Sequence, residues 1–311
     1  MKNVKRLMAC VLALAMLVSM MMTGGVMTAS ALSGVGCAEN DKSILGIDLS
    51  YWNVGGSSLI YSRVDFDKLV ASGCKFAILR IGLGSSSNTP SMDKAFLEYY
   101  RRARAAGMHL GVYFYSHALT YAQAAKEAKW CINVIESNNM YFEYPIYVDM
   151  EESDQVALGS TAFTNVALGF CDTMADAGYY AGFYGMHSSQ SKLTSSFTSK
   201  YDRWTAKVKT AYDTSNQYTY SSQNYRANYC MWQFTWVGVK YFSGVTGNGS
   251  NLDVNICYKD YPTIMQTYGY NNMKKNSATT AEKLGTYYIT APSNDPLNVR
   301  DSASTSGNLI G

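Results

Sequence analysis

Residues 144–154 read YPIYVDMEESD, an apolar run that ends in three acids within four residues. Side chains alternate along a strand, so Ile146, Val148 and Met150 share one face and Tyr147, Asp149 and Glu151 the other. Apolar residues on both faces describe a strand buried on both sides, as in a parallel sheet covered by helices. In a barrel of such strands, catalytic groups gather where the strands end at their C-termini, and Asp149 and Glu151 stand there. A solvated loop that starts one residue early would give the same letters. The stretch by itself does not separate the two readings.

The flanking sequence repeats the pattern. ILGIDLSYW is a strand ending in polar residues, 64–72 is helical, and KFAILRIGLG is a second strand. A helix over 92–106 stops at Gly107, HLGVYFYSHA is the third strand, and 120–136 is a helix rich in Ala, Lys and Glu. YPIYVDMEE is the fourth strand, 161–177 a helix closed by Gly178, and YYAGFYG the fifth strand. Alternating strands and helices imply a parallel sheet with helices outside. After residue 200 the helical patterns stop, while DRWTAKV, YCMWQFTW and LDVNICY read as strands. The expected fold is α/β: an irregular TIM-like β/α barrel over 40–268 whose last strands lack intervening helices.

Both ends read differently. Residues 1–31 carry Lys2, Lys5 and Arg6, an apolar run from Leu7 to Met22, and Ala29-Ser30-Ala31, the pattern of a secretory signal peptide. Export to the cell surface or medium follows, without stable membrane association after cleavage. Residues 269–283 read as a linker. Residues 284–311 resemble the opening of a bacterial Src-homology-3-like repeat, too short to bury a core of its own.

The 311-residue chain holds 26 Lys plus Arg and 23 Asp plus Glu. Removing the signal removes three basic residues, leaving 23 against 23 and no basic excess to attract nucleic acid. Six cysteines remain once Cys10 leaves, an even number compatible with disulfides in an exported chain. Cys230 precedes Trp232 by two residues and Cys257 follows Asp253 by four. If the last two strands pair antiparallel with Trp232 and Asp253 at the rim, a Cys230–Cys257 disulfide is expected below it. The cysteine and histidine spacings match no metal pattern, and no metal or other cofactor is expected.

Two further acids sit like Asp149 and Glu151. Asp48 ends the strand ILGIDLS, and Asp253 stands between Leu252 and Val254 in LDVNICY. Aromatic residues crowd the same places: Tyr51 and Trp52 after Asp48, and Trp232, Phe234 and Trp236 before Asp253. Flat rings stack on sugars, although rings also fill cores. Carboxyl groups with aromatics, and no phosphate loop or serine elbow, suit glycosidic bond cleavage, which needs one protonated and one ionised acid. Crowding several carboxyls raises the proton affinity of at least one.

GIDLS, YVDMEE and WQFTWVGVKYFSGVTGNGSNLDVN resemble the signature blocks of glycoside hydrolase family 25, the Chalaropsis-type lysozymes. FAILRIGLG, GVYFYSHA and GFYG fall where that family has further barrel strands. The resemblance implies an N-acetylmuramidase that cuts the β-1,4 bond after N-acetylmuramic acid in peptidoglycan glycan strands. It assigns Glu151 as general acid, Asp149 as its partner, and Asp48 and Asp253 as the outer aspartates. Trp232 takes a sugar-binding role, and Tyr51, Trp52, Tyr115 and Tyr184 complete the expected substrate-binding set. The approach to Asp253 through Asn251-Leu252 is slightly long for the family, and GFYGMHSS lacks the Asn often found in that loop. A monomer is expected. A chitinase-like enzyme also spaces its acids D-x-E on a barrel strand. A non-catalytic wall-binding protein would be expected to lack one acid. His117 and His187 follow strands and read as loop polar groups or as site residues.

Overall fold

The structure is a computed structural model that describes residues 45–56, 58–207, 225–246 and 251–274. The signal segment, Cys37 and the Src-homology-3-like fragment lie outside the described residues.

Eight strands close a barrel. In chain order they are β1 (Leu45–Leu49), β2 (Phe76–Leu83), β4 (His109–Tyr115), β5 (Ile146–Asp149), β6 (Ala181–Met186), β7 (Asp202–Ala206), β8 (Met231–Thr235) and β9 (Asp253–Cys257), while a two-residue β3 (Ser91–Met92) hangs on β2. Pairing is parallel from β1 through β8, and β9 runs antiparallel between β8 and β1. Helices α1 (Phe66–Ala71), α2 (Phe96–Ala105), α3 (Tyr121–Ser137) and α4 (Ser160–Asp176) cover the outside. Asp65 caps α1 by accepting from Lys68 N, and Thr120 caps α3 by accepting from Gln123 N.

The period of two sorts every strand. Ile146, Val148 and Met150 enter the outer core beneath the helices, whereas Tyr147 enters the inner one. Along the inner face, apolar residues occupy one end of the barrel and polar residues the other. β2 runs Phe76, Ile78, Arg80; β5 runs Tyr147, Asp149; β8 runs Met231, Gln233. Because β9 is antiparallel, its order is reversed, with Asp253 first, then Asn255 and Cys257. Gly46 on β1 is required by close packing, because a Cβ there would lie 2.5 Å from the Phe76 ring.

The apolar end is stoppered by an element absent from the sequence reading, helix α5 (Tyr261–Tyr268). Asp260 caps it by accepting from Thr263 N, Pro262 stands in its first turn, and Gly269 ends it at φ 74°. Tyr261, Ile264 and Met265 are buried in the inner core. The Tyr261 and Tyr180 hydroxyls both donate to Asp202 Oδ2 at 2.8 Å, and Lys259 Nζ donates to Oδ1 at 2.7 Å.

Two expectations need correction. The chain does not leave the barrel at residue 269. Asn271 is fully buried, accepts from Tyr180 N at 2.8 Å and donates to Tyr144 O at 2.9 Å. The expected Cys230–Cys257 disulfide is not formed. The antiparallel register sets Met231 opposite Cys257, which puts Cys230 one position out of step. The Cys230 thiol donates to Arg203 O and the Cys257 thiol to Lys259 O.

Candidate active site

At the polar end, a cleft of about 420 Å³ opens, and Asp48, Asp149, Glu151 and Asp253 all line it. β1 and β9 place Asp48 and Asp253 directly opposite each other. β5 brings Asp149 beside Tyr115 of β4 and Tyr184 of β6, with Glu151 two residues further on.

The polar floor is fixed by side-chain amides. Asp48 Oδ2 accepts from Gln233 Nε2 at 2.9 Å and from Asn255 Nδ2 at 2.8 Å. Gln233 Oε1 accepts from the Tyr184 hydroxyl at 2.9 Å and from Trp236 Nε1 at 3.1 Å. Asn255 Oδ1 accepts from Trp204 Nε1 at 2.9 Å. These donors set both amide orientations, so Asp48 receives two N–H groups. Burial raises Asp48 above its ordinary value, and the bonds from Asn255 and Gln233 oppose that rise. Asp253 hydrogen-bonds Asp48. Burial and the Asp48 charge hold Asp253 well above the usual carboxylate range, so Asp253 keeps the proton of this pair.

Burial also raises Asp149 well above its ordinary value, reinforced by Glu151 and Asp48 and opposed by Arg80. Asp149 Oδ1 is buried and finds no hydrogen-bond partner. Glu151 is raised to about 7, first by burial and then by the charges of Asp48 and Glu152. The cluster therefore holds protons at neutral pH and titrates as a unit.

The substrate-binding expectations divide. Trp52, Tyr115 and Tyr184 line the cleft. Trp52 is 59% exposed, an open apolar face at the rim. Tyr51 stacks on Trp52, with ring centroids 4.6 Å apart, and stands outside the lining. Trp232 does not reach the cleft. Met231 and Gln233 take the inward positions on β8, so Trp232 points outward, stacks on Tyr225 at 4.3 Å and donates to Lys207 O. The exposed indole at this side of the cleft is Trp236, beyond an irregularity in β8 between Gln233 and Thr235. His117 sits at the rim, 3.6 Å from Glu152 Oε1, whereas His187 packs with Tyr225 and Tyr229.

The sequence reading missed Arg80, Tyr113, Trp204, Gln233 and Asn255. Two had a signal: Arg80 is a charge inside the apolar run FAILRIGL, and Asn255 follows Asp253 by one strand period. Among the described residues, no group of three or more His, Cys, Asp or Glu side chains is placed to hold a metal ion.

A closed α/β barrel with carboxyls and indoles at its polar mouth has the form of a carbohydrate-cleaving enzyme. The description "Glycosyl hydrolases family 25" matches residues 47–244, and the chain belongs to that family. Among solved structures, the chain resembles the Clostridium perfringens spore cortex lytic enzyme SleM, with a TM-score of 0.53 and 21% identity over 71% of this chain and 69% of that one. It also resembles GHIP, a glycosyl hydrolase 25 of Streptococcus pneumoniae, with a TM-score of 0.53 and 16% identity over 74% of this chain and 94% of that one. For the modular autolysin LytC of Streptococcus pneumoniae the TM-score is 0.51 and the identity 24% over 69% of this chain, which spans 46% of that protein. At these identities the likeness is one of fold. No curated protein matches the chain.

Proposed function

We propose that this protein is a secreted peptidoglycan hydrolase that cleaves the β-1,4 bond between N-acetylmuramic acid and N-acetylglucosamine. The observation that carries the reading is the convergence of Asp149 and Glu151 with the hydrogen-bonded Asp48–Asp253 pair in one cleft edged by Trp52 and Trp236. Family membership supports it, and LytC has been solved in complex with a synthetic peptidoglycan ligand.

In this reading, the indoles hold sugar faces at the rim and the glycan crosses the carboxyl floor. Glu151, protonated below about 7, gives its proton to the glycosidic oxygen as the bond to the anomeric carbon breaks. The step needs Asp149 in its ionised form. Asp149 stabilises the positive charge that develops at the anomeric carbon, directly or through the 2-acetamido group it orients. Water then adds to that carbon, and Glu151 recovers a proton from it. Asp48 and Asp253 share one proton and hold one negative charge below the reacting centre, which adds to burial in keeping Glu151 protonated.

Mass spectrometry of borohydride-reduced digests of purified peptidoglycan tests the proposal. Reduced muramic acid at the new ends is the expected product. Reduced glucosamine ends would assign a glucosaminidase instead, and an absence of new ends would favour a wall-binding protein.

A further inference from the structure

The cleft holds one charged group that the proposed chemistry does not use. Arg80 lies on the inner face of β2, only 7% exposed, and lines the cleft with the four acids. Its guanidinium is held by the edge away from its tip. Nε donates to Asp93 Oδ2 at 2.7 Å, and Asp93 is fixed in turn by Tyr51 N at 3.1 Å and Ala95 N at 2.8 Å. The Tyr51 ring lies 4.9 Å from the guanidinium carbon. A guanidinium has five N–H donors. Among the described residues only the Nε–H of Arg80 has an acceptor, and Nη2 is buried without one.

The nearby acid does not fill the vacancy. Arg80 lowers the proton affinity of Asp149 through space, yet no hydrogen bond joins them, and Asp149 Oδ1 is also without a partner. A buried cation left with unused donors is costly unless an oxygen meets it. The fold supports that cost with the Asp93 brace and the Tyr51 ring, which suits a group kept in place for a ligand.

We propose that Arg80 is a substrate-binding residue that holds a carbonyl or carboxylate oxygen of the muramyl unit through its Nη donors. The inference rests on the peptidoglycan reading above. Muramic acid offers two such oxygens, the acetamido carbonyl on C2 and the lactyl group on C3. A planar, braced fork suits either and would add affinity for the sugar that carries it.

Arg80→Lys separates the donors from the charge. The lysine ammonium stays within reach of Asp93 and keeps the buried ion pair, but the two Nη groups are gone. In the Glu151→Gln background, which leaves the glycan uncut, calorimetric titration with natural glycan strands should show binding weakened about tenfold or more by Arg80→Lys. The same titration with chemically de-N-acetylated strands identifies the oxygen. A loss that persists assigns the lactyl group, and a loss that disappears assigns the acetamido carbonyl. With Glu151 intact, Arg80→Lys should raise KM and leave kcat within about threefold. Should Arg80→Lys not fold, Arg80→Met with Asp93→Asn removes both charges together and is read by glycan affinity alone, in the Glu151→Gln background, where it should show the same loss. Natural-strand affinity within twofold of the parent would overturn the proposal. So would a fall in kcat or a displaced pH profile at unchanged KM, which would make Arg80 a tuner of Asp149. If the wild-type protein releases no muramic acid ends, the function fails; if it does and the affinities do not move, only the role of Arg80 fails.

Discussion

Glu152→Gln should move the alkaline edge of activity towards lower pH. Glu151 stands at about 7, raised first by burial, then by Asp48, then by Glu152. Removing the third influence lowers Glu151 part of the way towards its ordinary value of 4.5. The Glu152 side chain is 34% exposed, so water screens it. For carboxyls about 7 Å apart at an effective dielectric of about 40–80, the interaction is about 0.6–1.2 kcal/mol. At 1.36 kcal/mol per pH unit, the limb should move by roughly half a unit. In the proposed mechanism Glu151 must carry its proton, so a limb displaced from about 7 to about 6.5 costs roughly threefold in rate at pH 8 and almost nothing at pH 5. Glutamine keeps an acceptor for the Tyr115 hydroxyl, now 2.7 Å from Glu152 Oε1, so the rim geometry should persist. The assay is kcat/KM on soluble glycan chains from pH 4 to 9. An alkaline limb that stays put or moves upward would refute the electrostatic account of Glu151.

Other perturbations test the remaining structure. Asn271→Ala strands Tyr180 N and Tyr144 O, two buried groups worth about 1–3 kcal/mol each, so the melting temperature should fall by roughly 5–15 °C. Truncation after Tyr270, which removes Asn271, should destabilise the barrel similarly, as calorimetry against the full-length chain would show. Trp236→Ala and Trp52→Ala should raise KM on glycan chains by about tenfold at unchanged melting temperature, whereas Trp232→Ala should act on stability, by about 3–5 kcal/mol. Glu127, buried on α3 and accepting from Ser116 Oγ and His117 N, is raised by burial from 4.5 to about 7. The folded state thus binds a proton more tightly than the unfolded chain, and this stability is complete below about pH 4.5 and lost as pH rises through about 7. Glu127→Gln should flatten the decline in melting temperature between pH 5 and 8, of which Glu127 contributes at most about 3 kcal/mol.

The barrel was legible because its strands are short, apolar and separated by helices of regular period. The D-x-E pair was legible for the same reason: a period of two puts Asp149 and Glu151 on one face, and β5 ends between them. Period alone did not fix which face of β8 looks inward. There Gln233, an unremarked amide, took the place expected for Trp232, because facing is decided by the register with β7 and β9. The amides that orient Asp48 were invisible for a related reason: Gln233 and Asn255 gain meaning only when strands 185 and 207 residues away in sequence meet β1. Helix α5 had readable signals in Asp260, Pro262 and Gly269, and the loss of helical pattern after residue 200 masked them. The cysteine pairing failed on a single step of register.

The central claim is that Glu151 delivers the proton that breaks a muramyl glycosidic bond. The direct measurement compares wild-type protein with Glu151→Gln by counting new muramic acid reducing ends released from purified peptidoglycan, with glycan binding and melting temperature recorded for both. Glutamine is nearly isosteric and has no proton to transfer, so the account predicts retained binding, an unchanged fold and a release rate lower by at least about a hundredfold. Release by Glu151→Gln at the wild-type rate would contradict it.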